Sequence, residues 1–227
     1  MKKGQMTIFI TIGVIIMLLG FTILFLYQFP RSTSEKSMSD IESFVQQCVK
    51  DVTNDGLNLL SLQGGYIYPT NFLQTSYQKI SYDLPEKPIM QQELNKFVEQ
   101  GLPKCINISM FESFGYSISL EPATAESSIN DKVVLVDVNL PITIVKGQTS
   151  KKIEHFQAKS STRLGHVHSI IKDLRKQTEW IDLTKASQQD VDISIIPYQS
   201  DLIISVKDTK SYINSNYFKF VTAVKLT

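Results

Sequence analysis

From Met6 to Tyr27 the chain runs 22 residues without a charge, and only Thr7, Thr11 and Thr22 are notably polar. A helix rises about 1.5 Å per residue, so such a run matches the roughly 30 Å of a bilayer's hydrocarbon. Backbone groups in lipid must bond to one another, which a lone segment achieves only as a helix. The threonine hydroxyls can bond back to carbonyls of the preceding turn. The run predicts a transmembrane helix over 6–27. A cleaved signal has a shorter apolar region followed by small residues, whereas here Tyr27-Gln28-Phe29-Pro30-Arg31 follows.

This reading divides the chain into a short cytoplasmic tail (1–5), the span (6–27), a polar linker (28–38) and an extracytoplasmic domain (39–227). Lys2 and Lys3 precede the span, while Arg31, Glu35 and Lys36 follow it. The balance of positive charge favours a cytoplasmic N-terminus, with the C-terminal domain outside the cell membrane.

Lys3-Gly4-Gln5-Met6-Thr7, followed at once by an apolar helix, resembles the archaeal class III signal peptide of type IV pilin-like proteins. That resemblance implies cleavage between Gly4 and Gln5 with the helix retained. The family usually carries Glu at the fifth mature position, where this chain has Phe9. The opening, together with the stretch FVQQCVKDVTNDGLNLLSLQGGYIY further on, also resembles single-pass exported membrane proteins of small-genome archaea. That family implies no particular activity.

Of the 23 Lys and Arg residues, Lys2 and Lys3 precede the apolar run, which leaves 21 against 22 acids. No basic face or aromatic–basic interleaving appears, which argues against nucleic acid as a partner. The expected partners are the lipid bilayer and other envelope proteins or a second copy.

The two cysteines, Cys48 and Cys105, are disulfide candidates in a compartment where bridges persist. The other reading is two separate buried thiols.

Ile41, Phe44, Val45, Cys48, Val49 and Val52 recur at three- and four-residue spacing and predict a helix from Ser39 or Asp40 to Gln63. Gly64-Gly65 supplies its stop. Tyr66–Pro69 reads as a short strand and 71–83 as irregular. A second helix is expected over Pro88–Gln100 with Ile89, Leu94, Phe97 and Val98 inward, ended by Gly101 and Pro103. A strand is expected at 116–120. In the strand Lys132–Val145 the even positions from Val134 to Ile144 share one face, and Pro141 implies an edge or bulge. A hairpin leads back along 151–159. A third helix is expected over Ser161–Trp180, then strands Val191–Tyr198, Leu202–Asp208 and Tyr217–Leu226. The fold class predicted is α+β: an N-terminal transmembrane helix, then about three helices on a mainly antiparallel sheet.

No catalytic or metal-binding constellation emerges, and no cofactor is expected. His166 and His168 lie two apart and diverge on a helix, which leaves His155 without a chelating partner. No nucleophile stands beside a base. Asn107-Ile108-Ser109 is the single glycosylation sequon. Tyr66, Tyr68, Phe72, Tyr77 and Tyr82 form a candidate contact surface, since tyrosine offers area with a polar tip. The function expected is a membrane-anchored extracytoplasmic protein with a structural, assembly or surface-contact role and no catalysis. The alternatives are a pilin-like filament subunit processed after Gly4, and an exported hydrolase or metal enzyme.

Overall fold

The structure, a computed structural model, describes residues 37–175 and 190–225, together with Met17, Leu18 and Phe21. The chain divides into two units, Met1–Ser37 and Met38–Thr227, and the fold is that of the second. It is α+β, with three antiparallel sheets.

Helix α1, Met38–Leu62, follows the predicted stripe: Ile41, Val45, Cys48, Val49, Val52, Leu57 and Leu60 are buried. The amide of Gly65 bonds to Leu60 O (2.8 Å). Gly64 and Gly65 hold φ of 79° and 91°, a region that a side chain disfavours, so the helix ends where the glycines stand.

The expected strand at Tyr66–Pro69 does not form. The amides of Ile67 and Tyr68 instead donate to Glu93 Oε2, at 2.9 and 3.0 Å. The stretch expected to be irregular holds a small hairpin, β1 (Phe72–Gln74) and β2 (Lys79–Ser81).

Helix α2 spans Lys87–Cys105, opens with proline in its first turn, and does not stop at Gly101 or Pro103. Burial explains the continuation: Leu102, between the two breakers, is wholly buried, and the Ile106 amide closes on Leu102 O (2.9 Å). Gly101 also lets α1 approach, since a Cβ there would lie 2.6 Å from Val52 Cγ1. Met90, not Ile89, points inward; Ile89 is 41% exposed.

After the four-residue helix α3 (Ser109–Glu112), a sheet forms from β3 (Ser117–Leu120), β4 (Thr124–Ile129), β5 (Val134–Lys146) and β6 (Thr149–Ser160). Strand β6 occupies one edge of β5 along its length, so β3 and β4 share the other, end to end. The even positions Val134 to Ile144 are buried as predicted. Pro141 sits in a central strand, not at an edge, and the pairing with β6 shifts register between Asn139 and Ile142. On the other side Pro141 O accepts the Glu121 amide (3.0 Å), where β3 gives way to β4.

Helix α4, Leu164–Arg175, buries Leu164, Val167, Ile171 and Leu174. Positions 176–180 of the expected helix lie outside the described residues. The last sheet is a meander of β7 (Val191–Tyr198), β8 (Asp201–Ile213) and β9 (Asn216–Lys225). Asn214 and Ser215 turn β8 into β9 with φ of 49° and 67°, the twist a two-residue hairpin needs.

Helix α1 packs on both β6 and β9, and α2 on β4. One core joins these elements, including Phe156, Ile204, Val206, Phe218 and Phe220. Val221 and Ala223, on the opposite face of β9, form a second, small core with Leu73 and Ile80 of the hairpin.

The expected fold class needs a correction. No helix among the described residues is long and apolar enough to cross a membrane. The longest, α1, is amphipathic, with Lys50, Asp51 and Asp55 on the face opposite its buried stripe, and so belongs on a protein core. The expected span 6–27 lies outside the described residues except for Met17, Leu18 and Phe21; so do Gly4, Gln5 and linker positions 28–36.

Candidate functional site

Cys48 and Cys105 form a disulfide, with Cα atoms 5.8 Å apart. It ties the middle of α1 to the last residue of α2. The two helices also close at Gly56, where a Cβ would lie 2.8 Å from the Phe97 ring. Asn107, just beyond, is exposed, and its Oδ1 accepts from Ser109 N (3.2 Å) and Ser109 Oγ (2.6 Å).

The five aromatic residues expected as a contact surface touch different elements. Tyr68 leans on α2, its hydroxyl 3.4 Å from Gln100 Oε1 and Lys96 Nζ 5.6 Å from its ring. Phe72 lies beneath Lys79 (4.6 Å), and Tyr77, at the hairpin tip, is 97% exposed. Tyr82 donates to Asp201 Oδ2 (2.6 Å), a bond that pushes its pKa up to about 12. Burial, aided by Asp83 and Glu93, raises that of Tyr66.

The histidines stand apart. His155 is exposed on β6, opposite Asn139, and His168 is buried on α4. Among the described residues, no three His, Cys, Asp or Glu are placed to hold a metal ion.

A cluster that the sequence did not reveal lies between α4 and the segment leading into α2. His168, Lys172 and Arg175 occupy one face of α4, at i, i+4 and i+7. Asp83, Leu84 and Glu86 face them across a cleft of about 360 Å3. His168 Nε2 lies 2.8 Å from Pro85 O. A carbonyl only accepts, so Nε2 carries the proton. Burial pushes the His168 pKa down, opposed by that bond and by Glu86, and reinforced by Lys87 and Lys172. The ring is therefore neutral near pH 7. Lys172 pairs with Glu86 (2.5 Å).

Arg175 reaches deeper. Its Nη1 donates to Thr222 Oγ1 (2.9 Å) and its Nη2 to Tyr82 O (2.5 Å). Both partners are neutral, and burial lowers the guanidinium's pKa while Asp83 partly offsets that. The cleft thus holds a half-buried cation bonded to uncharged oxygens, but no hydroxyl or thiol nucleophile among its lining residues.

A larger depression, about 630 Å3, crosses the solvent face of β4, β5 and β6 over Glu126, Asp137, Asn139 and His155. Glu126 sits directly opposite Asp137. The Asp137 carboxylate accepts Gln157 Nε2 (2.6 Å). These side chains stand in rows on an open sheet and do not converge on a point.

A second polar cluster is structural. Arg163, just before α4, donates through Nε to Asp208 Oδ2 (2.9 Å) and through Nη2 to Asp208 Oδ1. Asp208 also accepts Ser211 Oγ and the Lys210 amide (2.9 Å). Burial alone would raise the Asp208 pKa; these donors overcome it and hold the carboxyl below its ordinary range. Every charge there is satisfied, which leaves nothing for a ligand.

The chain matches no known protein family, no curated protein and no solved structure.

Proposed function

We propose that the domain works outside the reducing cytoplasm as a contact or assembly module of the cell envelope, and not as a catalyst. The observation that carries this reading is the Cys48–Cys105 disulfide between two packed helices. Such bridges persist in oxidising compartments and are rare where thiols are kept reduced. Both cysteines of the chain are used, so neither remains as a nucleophile. The neutral His168 donates to a carbonyl, and the residues lining its cleft offer no hydroxyl or thiol for it to activate. Exposed Tyr68, Tyr77, Tyr212 and Tyr217 supply area suited to protein contact. The partners in this reading are other envelope proteins or a second copy of the chain.

The test is labelling of intact cells with a membrane-impermeant amine reagent, followed by cross-linking. Labelling without permeabilisation and a discrete cross-linked species are expected. Labelling only after lysis would contradict the reading.

A further inference from the structure

Arg175 makes no direct ion pair among the described residues. Its guanidinium is half-buried, yet its bonds go to a threonine hydroxyl and a main-chain carbonyl. Thr222 is wholly buried, so the fork is fixed in depth. Two of its five N–H groups are occupied by these bonds, and three remain. Lys172 pairs with Glu86, whereas Asp83, whose Oδ2 accepts Asn71 Nδ2 (3.1 Å), keeps its charge on the rim. A rigid guanidinium with free donors, open to a cleft of about 360 Å3, is the geometry that receives a planar anion.

We propose that the cleft between α4 and the segment 83–86 binds a carboxylate, which docks on the Arg175 guanidinium with Lys172 and His168 along its side. The acids on the rim select the class. Asp83 and Glu86 face the same space, and a dianionic phosphate would meet about twice the repulsion from them that a monoanion meets. A monoanionic carboxylate meets less of that repulsion, and its two oxygens match the planar fork. The carboxylate belongs either to a small free acid or to the C-terminus of a peptide. Leu84, on the wall of the cleft, offers an apolar contact to either.

The test titrates the full chain with acetate, with a short peptide bearing a free C-terminal carboxylate, with the same peptide amidated, and with inorganic phosphate. Amide NMR signals of Asp83, Leu84, Glu86 and 168–175 report binding. Saturable shifts are expected with acetate and the free-acid peptide, and none with the amidated peptide. A tighter peptide than acetate assigns the source to a chain terminus; equal affinities assign it to a small acid. Arg175→Gln should weaken binding at least about tenfold. Because Arg175 also ties Tyr82, just after β2, to Thr222 of β9, Asp83→Asn serves as the second variant and should tighten binding by removing a like charge. Absence of saturation by either acid, phosphate binding as tight as carboxylate, or unchanged affinity in Asp83→Asn would overturn the proposal.

Discussion

Arg163 and Asp208, 45 residues apart, form a two-pronged ion pair in which the Asp208 side chain is 0% exposed. It fixes the entry of α4 to the irregular part of β8, where the pairing with β9 shifts register between Lys207 and Tyr212. Asp208→Ala strands Arg163 and the Ser211 hydroxyl, and should cost about 3 kcal/mol in urea-induced unfolding. The depressed Asp208 pKa has a definite sign. Its contribution is complete above the unfolded value of about 3.9 and is lost as pH falls through the lower folded value. Acid titration of the wild type and of Asp208→Asn, followed by circular dichroism, checks this.

His168 predicts a separate pH effect at a higher pH. Its folded pKa lies below the ordinary value because the ring is buried. The unfolded chain takes up a proton near pH 6.5, while the fold resists it. Stability should thus be flat above about pH 6.5 and fall below it, with a slope of at most about 1.4 kcal/mol per pH unit. In His168→Gln the slope in that window should shrink, measured as the denaturation midpoint against pH.

Gly101 should be intolerant for a steric reason. Ala there gains up to about 1 kcal/mol of helix propensity, but its Cβ would press on Val52 at 2.6 Å. Overpacking of this kind costs about 1–3 kcal/mol, so Gly101→Ala should lower the melting temperature. Val52→Ala removes the opposing methyls. In a double-mutant cycle the pair should be less harmful than the sum of the singles.

Reduction of the disulfide should destabilise the fold without abolishing its helices. The cysteines are 57 residues apart, and closing a loop of that size is worth about 4 kcal/mol in the chain-entropy model. Unfolding of Cys48→Ser/Cys105→Ser, compared with wild type with and without reductant, measures it. Reductant should leave the double variant unchanged.

The legible parts of this fold are those in which one strong local pattern also agrees with burial. The stripe of α1, the Gly64-Gly65 stop, the alternation from Val134 to Ile144 and the strand Val191–Tyr198 are of that kind. Strand β4 escapes the sequence because Thr-Ala-Glu-Ser-Ser-Ile is mostly small and polar, and only pairing with β5 makes it extended. The continuation of α2 through Gly101 and Pro103 depends on Leu102 finding the core, a tertiary effect that propensity does not carry. Tyr66–Pro69 has the composition of a strand, but Glu93 takes its amides. The bridge between Cys48 and Cys105 is open from sequence alone, since it requires their helices to meet. His168, Lys172 and Arg175 leave one signal, their shared helical face; nothing local announces that 83–86 lies across it. Arg163 and Asp208 leave none, because their pairing spans α4 and two strands.

Whether the domain works in an oxidising compartment is decided by the redox state of Cys48 and Cys105 in the native cells. Cells are quenched in acid, the protein is denatured without reductant, and a maleimide of high mass is added. An unshifted chain is expected, gaining two adducts only after reduction. A chain carrying two adducts before reduction would contradict an oxidising compartment.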